Sequence, residues 1–246
     1  SRPNYNDWTG SADIDIAQKQ LTAGGTTVAD KTYDGTTGAA IALGTVNGIV
    51  ADDDVTVTPT GAFPSADVGD YQVTVTYALT GAEAQYYLAP AADTCAASIT
   101  PAGITGVTVT GYTGTYDGAA YGVTVSGTQP GDIVRYSTDG GLTGSTTPPT
   151  FLVGSATVHV KVIRANHNDW FGAANVNIAR KQLTVSGTTV ADKVYDGTTS
   201  ATVTLGAVSG KLGTDDVTVT PAGTFASSNV GTHTVTVTYT LSGADA

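Results

Sequence analysis

Sliding the chain along itself by 162 residues lays Lys181-Gln-Leu-Thr184 on Lys19-Gln-Leu-Thr22. The same shift lays Thr188 to Thr199 on Thr26-Thr-Val-Ala-Asp-Lys-Thr-Tyr-Asp-Gly-Thr-Thr37. The register runs without a gap from Arg2 on Arg164 to Ala84 on Ala246, and roughly 40 of the 66 pairs from Lys19 onward are identical. Similarity at one fixed offset marks a tandem array, in which each copy is a structural unit.

The offset divides the chain into four parts. Residues 1–18 match 164–180 and read as the closing strand of a B-type module. In them Ile14 and Ile16 alternate with Asp13 and Asp15, the pattern of a strand with one wet face. Residues 19–100 form a first A-type module, opening with one strand from Leu21 to Val28. Its clearest signal is Tyr71, Val73, Val75, Tyr77 and Leu79 alternating with Gln72 to Thr80, a half-buried antiparallel strand. Residues 101–180 form a B-type module, with strands at Val107–Thr110, Tyr121–Ser126, Asp132–Ser137, Ala156–Ile163 and Asn175–Ala179, and a loop at Asn166–Gly172. Residues 181–246 repeat the A type without the counterpart of 85–100, which holds its last strand. Tyr-Asp-Gly recurs at Tyr33, Tyr116 and Tyr195, each time as a turn, because Gly takes positive φ at no steric cost.

Many short strands with Gly, Pro, Asn and Asp between them predict an all-β fold of tandem Ig-like β-sandwich modules in an extended array. A β-grasp-like module is the alternative. It requires a helix, and no stretch here has the composition of one. Connectors are short: Arg180 runs straight into Lys181.

Composition excludes several classes. The net charge of −11 and ten scattered Lys and Arg argue against a nucleic-acid partner. No apolar run is long enough to span a membrane. Cys95 is the single cysteine, so no internal disulfide forms, and its alternation with Ile99 predicts a small core residue.

The motifs Lys-Gln-Leu-Thr, Asp-Lys-X-Tyr-Asp-Gly-Thr-Thr and Val-Gly-X-X-X-Val-Thr-Val-Thr-Tyr resemble the Tyr-Asp-Gly (YDG-type) repeats of large bacterial surface adhesins. Gly114-Thr-Tyr-Asp-Gly118, Arg135-Tyr-Ser-Thr-Asp-Gly140 and Ala165-Asn-His-Asn-Asp-Trp170 look like the MBG-like β-rich repeats that accompany them. The resemblance implies an extracellular bacterial protein whose repeats form a stalk, spacer or filament, and it implies no catalytic residue.

The residues themselves agree on chemistry. No nucleophile elbow, zinc helix, phosphate loop or Cys-X-X-Cys is present. Two of the three histidines, His167 and His233, align with Tyr5 and Tyr71, an exchange that a catalytic or metal-binding histidine would not tolerate. The expected enzyme activity is therefore none. Calcium is the one cofactor to consider: Asp52, Asp53 and Asp54 share a loop, and Asp215 and Asp216 occupy its match. Hard cations want several such oxygens; a solvated turn is the alternative. A glycan or protein contact is the adhesive alternative, with Asn166, Asn168, Asp169 and Trp170 as the candidate ligand-binding loop, against a Trp that anchors the loop to the sandwich. Lys161 with Asn175 or Asn177 is the one pair to consider for a cross-strand isopeptide bond. The partners expected are neighbouring repeats and other copies head to tail, the latter because an open sheet edge can accept a strand.

Overall fold

The computed structural model describes residues 4–141 and 144–246; the first three residues of the 1–18 segment lie outside the described residues. The chain is all-β. Its helical content among the described residues is one 3-10 turn at Ala84–Tyr86, so the helix that a β-grasp module needs is not there. Contacts divide the chain into two units, 1–105 with 163–170, and 106–162 with 171–246. The units therefore do not follow the module boundaries: residues 101–105 and 163–170 of the B-type module belong with the first A repeat.

In the first unit the long strand Gly69–Thr80 lies between Thr56–Gly61 and Asp93–Thr100, antiparallel to both, and Lys31–Thr32 adds in parallel to Asp93–Thr100. The outer strand Thr56–Gly61 carries Pro59, which can sit there because an edge strand needs no donor on its open side. Two short ladders, Thr22–Gly24 with Thr45–Asn47 and Thr27–Val28 with Ile41–Ala42, complete the repeat. They are short because Gly25, at φ 76°, breaks the run that sequence periodicity reads as one strand from Leu21 to Val28. Leu21 and Val28 from this side meet Val57, Val73, Val75, Tyr77, Cys95, Ala97 and Ile99 from the sheet in one core. Cys95 is buried there, as its alternation predicts, and its Sγ–H donates to the Thr26 carbonyl at 3.2 Å. Burial pushes the thiol's pKa up.

In the second unit a four-stranded sheet runs Tyr112–Thr115, Trp170–Ala179, Gly154–Ile163, Ile133–Ser137. Val158, Val160, Val162, Val176 and Ile178 are its buried face. The closing strand starts at Trp170, five residues earlier than periodicity places it. The second A repeat rebuilds the sheet as Ser200–Ala201, Thr218–Phe225 and Val235–Ser242. Among the described residues none between 181 and 246 is buried.

One expected strand is absent. Residues 11–17 form no strand, and Ile14 and Ile16 are almost fully exposed. Their counterparts, Val176 and Ile178, are buried because Trp170–Ala179 has a neighbour on each side. Alternation alone does not make a strand where no partner supplies hydrogen bonds.

Candidate functional site

The Tyr-Asp-Gly turn is a staple. Gly35 sits at φ 76°, and Asp34 Oδ1 accepts from the Thr36 amide at 2.9 Å and the Thr36 hydroxyl at 2.8 Å. Lys31 Nζ lies 2.7 Å from the same oxygen and donates to the Thr36 and Gly38 carbonyls at 3.0 and 3.3 Å. The second repeat reproduces this with Lys193, Asp196, Thr198 and Ser200, the Lys193–Asp196 distance being 2.8 Å. Donation from lysine, then from the backbone amide and hydroxyl, pulls the pKa of Asp34 and Asp196 down to about 2. The B-type turn differs. Asp117 there accepts from the Tyr121 hydroxyl at 2.6 Å and the Ala119 amide at 3.0 Å.

A second device sits in the core. Thr26 is the one buried polar residue among those described. Its hydroxyl oxygen accepts from the Tyr77 hydroxyl at 2.9 Å and the Gly44 amide at 3.2 Å. Thr188, Tyr239 and Gly206 repeat it at 2.8 and 3.3 Å. Gly44 must be glycine: a Cβ there would lie 2.1 Å from the Gly24 carbonyl oxygen, and one at Gly206 would lie 2.0 Å from that of Ser186.

The aspartates considered for calcium are engaged in turns. The Asp54 amide donates to Glu83 Oε2 at 3.0 Å, and Asp54 Oδ2 accepts from the Ala82 amide at 3.3 Å. The second repeat makes the same reciprocal clasp with Asp216, Asp245 and Ala244, at 2.7 and 3.2 Å. Asp53 accepts from the Tyr87 hydroxyl; its match Asp215 accepts instead from the Tyr116 hydroxyl, at 3.0 Å. These carboxylates raise the pKa of both phenols, since the hydrogen bond favours the protonated ring. Asp52 sits at φ 72° at the loop tip. Among the described residues no three His, Cys, Asp or Glu side chains converge as metal ligands would.

The loop considered for ligand binding is instead held inside the first unit. Asn166, at φ 61°, accepts the Val68 amide on Oδ1 at 3.0 Å and donates from Nδ2 to Asp67 Oδ1 at 2.8 Å. Asn tolerates this left-handed geometry better than most residues. The His167 ring meets Tyr33 edge-on, with centroids 5.4 Å apart. Beyond it His167 and Asn168 pair in parallel with Ala102 and Gly103, and Asn168 Nδ2 reaches the Pro101 carbonyl at 3.5 Å. Asp169 is exposed, and Trp170 is half-buried as it opens the closing strand. The structure thus brings Asn166 and His167 onto the first A repeat and leaves Asp169 at the surface.

The histidines explain their own exchange. His233 Nε2 lies 2.7 Å from the Asn229 carbonyl, and the Tyr71 hydroxyl donates to the matching Asp67 carbonyl at 2.8 Å. A carbonyl only accepts, so Nε2 carries the hydrogen, and phenol and imidazole do one job. The isopeptide pair is overturned. Asn175 accepts from Thr157 at 2.9 Å and Asn177 from Ser155 at 2.8 Å, while Lys161 Nζ sits 5.6 Å from the centre of the Phe171 ring. Four residues of strand, about 13 Å, separate Lys161 from the Thr157–Asn175 pair.

Sequence reasoning missed the grip of Asn166 on Asp67 and Val68. The signal was available: Asn166 and Val68 both return at the 162-residue offset, as Asn4 and Val230. On the second A repeat that face is open, a cavity of about 330 Å³ lined by Tyr195, Phe225, Asn229, Val230 and His233 among others.

No curated protein matches the chain. Among solved structures it is similar to Drosophila N-cadherin EC1-4, at 6% identity and a TM-score of 0.24 over 88% of this chain and 66% of that one. It is also similar to protocadherin gamma B7 extracellular cadherin domains 1-4, at 9% identity and a TM-score of 0.23, covering 93% and 76%. Scores that low support no argument from either. The model of the YDG domain matches residues 17–96 and 179–246. Those two stretches hold the lysine–aspartate staple, the Thr–Gly–Tyr bond and the aspartate clasp, each built twice, and the chain belongs to the YDG domain family.

Proposed function

We propose that this chain is a structural repeat segment, a stalk, spacer or filament element, of an extracellular bacterial surface adhesin. One observation carries the reading. The polar side chains that stand out in sequence are engaged in holding the fold, and the two A repeats engage them in the same way. A catalytic or binding site would hold its polar groups ready for a substrate. Here Asp34, Asp54, Thr26 and Asn166 each face a partner within the protein. The resemblance to Tyr-Asp-Gly repeats of surface adhesins supports the extracellular placement. In this reading the chain has no enzymatic activity, its partners are neighbouring repeats, and it needs no calcium, because amides and phenols occupy the oxygens a cation would take.

Single-molecule pulling combined with glycan and host-protein binding tests the reading. The expected result is discrete unfolding steps, unchanged by chelator, and no binding to glycan or protein surfaces. Binding that is lost in Trp170→Ala while the fold persists would replace the scaffold with an adhesive module. Forces that drop when calcium is removed would make the Asp52–Asp54 and Asp215–Asp216 loops ion sites.

A further inference from the structure

Aspartate and asparagine share one chemical weakness when glycine follows them. The glycine nitrogen, with no Cβ beside it, can close on the preceding side-chain carbonyl carbon. Aspartate precedes glycine at Asp34, Asp117, Asp139 and Asp196, and asparagine does so at Asn47 alone.

The four aspartates are held. Each accepts the amide two residues on: Thr36 at 2.9 Å, Ala119 at 3.0 Å, Gly141 at 2.8 Å and Thr198 at 2.8 Å. A further donor reaches each carboxylate, Lys31, the Tyr121 hydroxyl, the Ser137 hydroxyl and Lys193 in turn. These donors keep all four carboxyls below their ordinary pKa, Asp34 and Asp196 at about 2. An ionised carboxylate offers only oxide as a leaving group, so ring closure is suppressed at all four turns.

Asn47 is not held. It ends the ladder of Thr45–Asn47 with Thr22–Gly24, and it is exposed. Among the described residues its side chain has no hydrogen-bond partner. Its carboxamide is neutral and carries a nitrogen that can depart. Gly48 follows at φ 106°, where the chain leaves the ladder. The second A repeat builds the same backbone without the asparagine. Ser209 pairs with Thr184 as Asn47 pairs with Thr22, and Gly210 sits at φ 96°.

We infer that Asn47–Gly48 is a site of self-modification, an intramolecular deamidation whose only co-reactant is water. The Gly48 nitrogen bonds to Asn47 Cγ and the Cγ–Nδ2 bond breaks. The Gly48 amide hydrogen leaves with Nδ2 as ammonia. Water then opens the cyclic imide. Addition at Cγ gives aspartate; addition at the main-chain carbonyl gives isoaspartate, whose backbone runs through Cγ and is a carbon longer. The second product bears on the fold. A Cβ on Gly48 would lie 3.3 Å from both the Gln20 carbonyl oxygen and Leu21 Cδ2, and Leu21 is fully buried. A longer backbone there presses on the core or gives up the Thr22–Asn47 pairing. The inference goes beyond the scaffold reading and does not lean on it, since a spacer and an adhesive module would age alike.

The test is incubation of the whole folded protein in mildly alkaline buffer, followed by peptide mapping and isoaspartyl-methyltransferase labelling. The expected result is a mass gain of oxygen for NH, confined to the peptide that holds Asn47 and labelled there as isoaspartate. Asn47→Ser places in the first repeat the residue that the second carries, so it should keep the fold and lose both signals. Aged wild-type protein should melt below freshly prepared Asn47→Asp, which has the charge without the added carbon. A mass gain at Asn47 in the denatured chain but not in the folded one overturns the proposal, because the ladder then keeps the site closed. Gain at the other asparagines as fast as at Asn47 overturns it too, as does label that survives in Asn47→Ser. None of these readouts measures binding or force, so their failure leaves the scaffold reading standing.

Discussion

Asp34 and Asp196 each accept from a lysine, an amide and a hydroxyl, and their carboxyls titrate at about 2 instead of 3.8. A carboxyl whose folded pKa is depressed contributes stability that is fully present above its unfolded value. That contribution is lost as pH falls through the folded value. Thermal melts should therefore hold level down to about pH 4 and fall between about pH 4 and 2. A Lys31→Ala, Lys193→Ala variant should flatten the fall, because each aspartate then loses its strongest donor. A second residue-scale test concerns Gly44. Gly→Ala in compatible backbone stabilises by about 0.4–1 kcal/mol. Here the added carbon would strike the Gly24 carbonyl, so Gly44→Ala should instead cost about 1–3 kcal/mol in denaturant unfolding. At this scale the sequence is legible in part. The turn glycine and the buried cysteine follow from residue type. Lys31 does not, because a lysine's partner depends on where a turn returns the backbone. The Tyr71–His233 exchange is legible as non-catalytic, but its shared carbonyl emerges only in three dimensions.

The strands divide by what lies beside them. Gly69–Thr80 was the plainest signal in the sequence, and it is paired on both sides, with Val73 and Val75 fully buried. Its neighbour Asp93–Thr100 supplies Ile99, 2% exposed. Ile99→Ala should cost about 2–5 kcal/mol in denaturant unfolding, since transfer and cavity terms add. Tyr77→Phe should cost about 1 kcal/mol by removing one of the two hydrogen bonds that the buried Thr26 hydroxyl accepts, the Gly44 amide keeping the other. By contrast, residues 11–17 alternate as cleanly as any strand and form none, because period two reports which face would be buried and not whether a partner is there. The long Leu21–Val28 reading failed for a different reason: Gly25 interrupts apolar residues that periodicity joins.

Across the molecule, the two A repeats share their polar devices but not their burial. The core of the first is closed by Tyr87, Cys95, Ala97 and Ile99, whereas no described residue between 181 and 246 is buried. In hydrogen exchange, amides of Val235–Ser242 should exchange well before those of Gly69–Thr80, at rates set by local opening. Equal protection would mean that burial does not set the difference. Repeat architecture was legible from the offset alone. The reach of residues 163–170 into the first unit was not, because it joins side chains about a hundred positions apart through one asparagine in a left-handed turn. In both copies the loop aspartate takes its hydrogen from a phenol, Tyr87 in one and Tyr116 in the other, and this has an optical corollary. A phenol held against a carboxylate ionises late, so an alkaline titration followed by phenolate absorbance should show a component above the ordinary tyrosine range.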